Sequence, residues 1–350
     1  MNTSEVVPGA KPKLALYWAA SCGGCDIAVL AIDDKILKVA EIFDIVLWPV
    51  AIDAKVRDIE KMDDKSIDVC LFNGGIRNSE QEYMAQLLRR KAKILVAFGS
   101  CAHEGCIPGL ANQFSRDQIF DFVYKQAPSV DNPQGVLPVP EFEVPEGRLH
   151  LPVFYDTVRT LDQTVDVDYY LPGCPPEADN IWAAIEVVVA GLGGAPLPPP
   201  GTVIGKETTV CDECTRTRTE KKIKAFKRTW EIIPNETDCL LEQGLVCSGI
   251  ATRAGCGALC PKVNSPCIGC HGPNVGVEDF GARMMSALAS VIDANTPEEI
   301  DRIIQEGIPD PIGTFYRFSL PHSLLRRSAL ALHGNGQGQP AVAAPTAAKA

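Results

Sequence analysis

The chain has 350 residues, 46% hydrophobic and 22% charged, with a net charge of −11 and an isoelectric point near 5.0. That length allows one or two domains with a sizeable core. The acidic balance argues against nucleic-acid binding, which rests on Lys and Arg neutralising phosphates. The outlier is cysteine, at 14 residues. No apolar run at the N-terminus suggests a signal peptide, and no stretch approaches the ~18 apolar residues of a membrane span. A cytoplasmic protein is therefore expected, in which reduced, clustered thiols mean metal or redox chemistry rather than disulfides.

Residues 1–12 are expected to form a loose arm. Lys13–Trp18 (KLALYW) reads as a buried strand, followed by Cys22-Gly23-Gly24-Cys25 and one loosely amphipathic helix with Asp26 in its first turn and apolar positions through Val39. The alternation repeats: strand Asp44–Val50, a short helix around Ala54–Met62, strand Ile67–Asn73, a helix near Ser79–Arg90, and strand Lys93–Phe98 ending at Gly99-Ser100-Cys101. A helix is expected over Phe114–Tyr124. Residues 127–165, rich in proline and acidic residues, look like an insertion. Strand Val167–Leu171 ends at Pro172-Gly173-Cys174, and a helix from about Glu177 to Ala190 closes the unit. This pattern predicts an α/β fold with a mostly parallel sheet covered on both faces.

The Gly/Pro run 191–205 reads as an inter-domain linker. The predicted organisation is a sheet domain over 1–200, a small irregular and helical iron–sulfur domain over 201–333, and a disordered tail over 334–350. The second domain opens with Cys211-Asp212-Glu213-Cys214 and a basic stretch: Arg216, Arg218, Lys221, Lys222, Lys224, Lys227 and Arg228. Between Cys239 and Cys270 six cysteines fall within 32 residues, too closely spaced for much regular structure. Thiolate-bound groups are the expected organisers, and iron–sulfur clusters suit them. Helices are expected over Phe280–Asp293 and Thr296–Glu306, the latter N-capped by Thr296.

Cys22, Cys25, Cys101 and Cys174 each follow the carboxyl end of a predicted strand, where the crevice of an open α/β sheet lies. They form one set of four, suited to a cubane cluster. Spacing divides the rest into Cys211, Cys214, Cys239 and Cys247, and Cys256, Cys260, Cys267 and Cys270, although ligands of neighbouring clusters can interleave. The main rival is a structural zinc held by Cys211, Cys214, Cys267 and Cys270. Cys70, inside a strand, reads as core packing. His103 and His271 adjoin these cysteines and could hydrogen-bond to sulfur. No phosphate loop or His-Glu-x-x-His helix is present, so the chain reads as an electron wire needing a source and a sink on other subunits.

The motifs Cys-Gly-Gly-Cys-Asp at 22–26, Gly-Ser-Cys-Ala-His-Glu-Gly-Cys at 99–106, Leu-Pro-Gly-Cys-Pro-Pro at 171–176 and the Cys211–Cys270 array ending Pro-Cys-Ile-Gly-Cys carry a resemblance. Over residues 13–330 the chain resembles the small, electron-transferring subunit of [NiFe] hydrogenases, and is most similar to the cytoplasmic methyl-viologen-reducing type that works with heterodisulfide reductase. The resemblance implies a flavodoxin-like N-terminal domain and three [4Fe-4S] clusters. It implies a proximal cluster on Cys22, Cys25, Cys101 and Cys174, a medial one on Cys256, Cys260, Cys267 and Cys270, and a distal one on Cys211, Cys214, Cys239 and Cys247. Cys211 stands where many relatives have His, and Cys260 where those with a three-iron medial cluster have Pro. The implied partners are a large subunit carrying the Ni-Fe site and an iron–sulfur or flavin acceptor subunit. Cys106 matches an extra cysteine of oxygen-tolerant relatives, whose companion position is Gly24 here. The cluster subunit of complex I resembles only the first domain.

Overall fold

The computed structural model describes residues 11–219 and 221–325. Most of the expected N-terminal arm and the whole expected tail, 334–350, lie outside them. Ten strands are described: β1 (Lys13–Trp18), β2 (Asp44–Leu47), β3 (Ile67–Asn73), β4 (Ile76–Asn78), β5 (Ala92–Phe98), β6 (Glu141–Val144), β7 (Gly147–His150), β8 (Phe154–Arg159), β9 (Tyr169–Leu171) and β10 (Thr202–Val203). Six make one sheet in the order β10-β9-β5-β3-β1-β2, every neighbouring pair parallel. This is the doubly wound, flavodoxin-like order with one short strand added at an edge. The α/β class expected from the alternation is therefore present.

Both faces of the sheet are buried, which is why its strands read as continuous apolar runs. Successive residues point to opposite faces. Ala15, Cys70 and Phe72 pack with Met84, Leu87 and Leu88 of helix Ser79–Lys91. Leu14, Leu16, Val69 and Leu71 pack with Val29, Val39, Ile181 and Val188 from helices Gly24–Leu30, Lys35–Ile42 and Ala178–Leu192. Cys70 is fully buried in the first core, as its strand position implied.

Three local expectations change. The helix after Cys25 is broken into Gly24–Leu30 and Lys35–Ile42, with Asp33 between them at φ 57°. The insertion is structured: β6 and β7 form an antiparallel hairpin, and β8 pairs antiparallel with β4. The Gly/Pro run supplies β10, which pairs parallel with β9 through Thr202 and Tyr169, an edge position where neighbouring prolines are tolerated.

Among the described residues, 206–275 contain only short helical turns and isolated bridges. The chain then forms helices Phe280–Val291, Pro297–Gly307 and Pro311–Phe315, capped by Asp279, Thr296 and Asp310, whose side chains accept from the amides of Ala282, Glu299 and Gly313. Their apolar faces meet Ile223, Phe226 and Leu241 in a third core. No helix among the described residues is long and apolar enough to cross a membrane.

Candidate metal centres

The parallel sheet brings the loops after β1, β5 and β9 to one end. Cys25 lies in the first turn of helix Gly24–Leu30 and Cys101 in the turn Ser100–His103; both are buried, whereas Cys22 and Cys174 are exposed. Gly99 (φ 82°) permits the approach, because a Cβ there would stand 2.3 Å from Cys25 Sγ. Burial raises the Cys25 thiol well above its ordinary pKa, and the nearby Cys174, Cys22, Asp26 and Cys106 add to the rise. Asp26 is itself buried, accepting from Trp48 Nε1 at 3.1 Å and Asn73 Nδ2 at 2.8 Å, which fixes the helix start against the sheet. Cys106 is also buried here, its Sγ 3.6 Å from Cys174 Sγ.

Cys211, Cys214, Cys239 and Cys247 line one small cavity with Arg216, Arg218 and Gly249. Burial pushes Cys211 up to about 12; Cys247, Cys239 and Cys214 add to this and Arg218 opposes it. The helical turn carrying Cys211 is started by a capping box between Thr209 and Asp212. Arg216 donates to the carbonyls of Pro261, Asn235 and Asp238 and to Asn264 Oδ1 at 2.7–3.0 Å, holding the cavity wall.

Cys270 has Cys256 and Cys260 as its thiol neighbours; burial and then Glu177 push it up to about 12, with the Cys174 backbone amide opposing. The Cys267 amide donates to Cys247 Sγ at 3.3 Å, and burial, then Cys247, raise the Cys267 thiol. Cys211 and Cys214 of the zinc alternative share their cavity with Cys239 and Cys247, while Cys267 packs with Cys214, Cys247 and Cys256.

The donor sets fit iron–sulfur groups. All 14 cysteines are free. Thiols that raise one another's pKa are what bound iron would hold deprotonated. Backbone amides already point at sulfur: Gly24 N–H at Cys22 Sγ (3.4 Å) and Cys267 N–H at Cys247 Sγ (3.3 Å). Gly249 leaves room beside Cys211, where a Cβ would lie 3.3 Å from the sulfur.

The histidines make other contacts. His103 Nε2 is 3.2 Å from Glu104 Oε1, and its ring lies 4.6 Å from that of Tyr170. His271 Nε2 is 2.9 Å from the Glu177 carboxylate, and the two share a neighbourhood with Cys256. Sequence reasoning missed Ser100, Glu104 and Glu177, whose only signal was their proximity to cysteines.

The family model of the NADH ubiquinone oxidoreductase 20 kDa subunit matches residues 22–188. The iron-sulfur subunit of the F420-non-reducing hydrogenase of Archaeoglobus profundus is 42% identical over 90% of this chain and 98% of its own length. The corresponding subunit of the F420-non-reducing hydrogenase of Methanothermobacter thermautotrophicus is 36% identical over 90% of this chain and 96% of its own. Among solved structures, a chain of an NAD+-reducing [NiFe]-hydrogenase in the H2-reduced state matches 54% of this chain and 94% of that one, at 31% identity and a TM-score of 0.45.

Proposed function

The chain belongs to the family of iron-sulfur subunits of the F420-non-reducing hydrogenases, and from that premise we propose that it is the electron-relay subunit of a [NiFe] hydrogenase, passing electrons from H2 oxidation on a large partner subunit to an acceptor subunit. The observation that supports this reading is the cavity lined by Cys211, Cys214, Cys239 and Cys247, together with the convergence of the cysteine-bearing loops after β1, β5 and β9 at one end of the sheet, open to the surface at Cys22 and Cys174. The large subunit would carry the Ni-Fe site and dock over that opening.

Three [4Fe-4S] clusters are the proposed cofactors, each storing one electron at a time. Cys22, Cys25, Cys101 and Cys174 would hold the proximal one, Cys256, Cys260, Cys267 and Cys270 the medial one, and Cys211, Cys214, Cys239 and Cys247 the distal one. The chain's own contribution is to fix the thiolates, exclude water by burial and direct amide donors at sulfur. The proposed division is a sheet domain over residues 1–200 and an iron–sulfur domain over 201–333. The medial group would lie between the others, because Cys270 packs against Cys101 and Cys106 and the Cys267 amide donates to Cys247 Sγ. The acceptor would be an iron–sulfur or flavin subunit of heterodisulfide-reductase type, in the cytoplasm, where free thiols persist.

The test is iron, acid-labile sulfide, nickel and zinc on the anaerobically purified native complex, normalised to this chain. About 12 iron and 12 sulfide attributable to the chain, with nickel on a co-purifying partner, is the expected result. About four iron with zinc would leave only the sheet-edge cluster and end the relay reading.

A further inference from the structure

Ser100 stands one residue before Cys101 and is 1% exposed. Three distant segments meet on it. Its amide donates to the Gly173 carbonyl at 2.8 Å, the Gly173 amide donates back to its hydroxyl at 3.1 Å, and the hydroxyl donates to the Cys270 carbonyl. Serine hydroxyls usually bond locally, to their own turn or helix end. This one makes only long-range bonds, and the helix it opens has no side-chain cap. Its hydrogen bonds therefore join the β5 loop, the β9 loop and the end of the Pro-Cys-Ile-Gly-Cys segment.

The residue after Gly173 is Cys174, and Cys270 itself packs against Cys101, Cys106 and Phe318. A matching junction lies at the other end of the same segment: the Cys267 amide donates to Cys247 Sγ at 3.3 Å, and the Ser248 amide donates to the Cys267 carbonyl at 2.8 Å. Each neighbouring pair of cysteine sets is thus joined by hydrogen bonds between the segments that carry them. At the second junction the backbone alone supplies the brace. At the first, a side chain does.

We propose that Ser100 is the positioning residue that couples the first cysteine set to the third, tying the Gly173 amide beside Cys174 to the Cys270 carbonyl so that electrons cross by a hydrogen-bonded path. The inference rests on the relay reading above. Cys22, Cys25, Cys101 and Cys174 would hold the group that gives up one electron, and Cys256, Cys260, Cys267 and Cys270 the group that takes it up. No covalent bond changes, and Ser100 keeps its proton.

The test compares Ser100→Ala and Ser100→Thr with the parent protein in the anaerobically purified complex. Iron and sulfide are counted, the dithionite-reduced complex is examined by low-temperature EPR, and H2-dependent reduction of a one-electron dye is set against H2/D2O exchange, which needs no electron export. The alanine variant is expected to keep its iron and its exchange rate, to lose the spin–spin interaction features between the two sites, and to reduce dye severalfold more slowly. Threonine, which retains the hydroxyl, should restore both. Unchanged EPR interaction and dye reduction in the alanine variant would overturn the proposal. Loss of iron in alanine, with threonine equally depleted, would also overturn it by making the residue purely structural. A parent complex holding about four iron and zinc would instead sink the relay reading itself.

Discussion

His271 Nε2 lies 2.9 Å from both carboxylate oxygens of Glu177, a residue 94 positions earlier in the chain. The pair ties the helix after β9 to the Cys267–Cys270 segment. His271 is 1% exposed, so its ring cannot exchange Glu177 for water. Burial works to raise the Glu177 carboxyl, but the His271 hydrogen bond and charge, with Asn180, outweigh it and hold the group below its ordinary value. Such a depressed carboxyl stabilises the fold above its unfolded pKa, and the contribution is lost as pH falls through the folded value. Glu177→Ala should cost about 1–3 kcal/mol at neutral pH, by leaving the imidazole unpaired. The deficit should narrow as the pH drops below 4.5. Thermal unfolding across a pH series checks both.

Glu104 has the opposite sign. It is 2% exposed, and burial, reinforced by Asp162 and opposed by Arg253, pushes it up to about 8. An acid that titrates later when folded makes the folded state bind the extra proton, so its contribution falls as pH rises from the unfolded value of about 4.5 towards about 8. Glu104→Gln, neutral throughout, should flatten the stability profile over that window. A variant profile as steep as the parent's would show that another group sets the slope.

Gly99→Ala places a methyl 2.3 Å from Cys25 Sγ on a backbone at φ 82°. The variant should lose the iron of the sheet-edge site while keeping that of the other two sets, so iron per chain should fall by about one third, with the remaining EPR signals intact. Cys106→Ala is the control: although Cys106 Sγ is 3.6 Å from Cys174 Sγ, it is not among the proposed ligands, and iron should be retained.

Much of the sheet is legible in the sequence because its physics is local. β1 and β5 are mostly apolar runs, and the loops that follow them carry Cys22, Cys25 and Cys101. What escaped is what depends on distant partners. β4 has only three residues and exists by pairing with β8, and β10 has two and exists by pairing with β9. Ser100 and Glu177 carry no signature either, since each takes its role from a cysteine segment folded against it. In the cysteine array no periodicity could order the chain, and only the short spacings pointed to bound groups.

That dependence gives a prediction for metal removal. Residues 206–275 have little regular structure to hold them without bound metal, and ligand binding to such a segment is folding free energy. Stripping iron with a chelator under reducing conditions should expose amides of 206–275 to rapid hydrogen exchange. Those of β1, β3 and β5, paired on both sides, should remain slow. Uniform loss of protection would mean instead that the two parts of the chain unfold as one unit.

The basic stretch divides in the structure. Arg216 is a wall of the cavity lined by Cys211, Cys214, Cys239 and Cys247, where its planar fork reaches Pro261, Asn235, Asp238 and Asn264. Lysine cannot reproduce that fork, so Arg216→Lys should lower iron at this site. Lys221, Lys224 and Lys227 are exposed, and the ion pair of Lys224 with Asp293 is long, at 4.0 Å. If this face receives an acidic acceptor, changing these three to glutamine should slow acceptor reduction and weaken its dependence on salt, because steering by exposed charge is screened within about a Debye length. Dye reduction, which needs no docked protein, should not change. An acceptor rate with the same salt dependence as the parent's would remove these three lysines from the docking surface and leave the basic stretch with the structural role of Arg216.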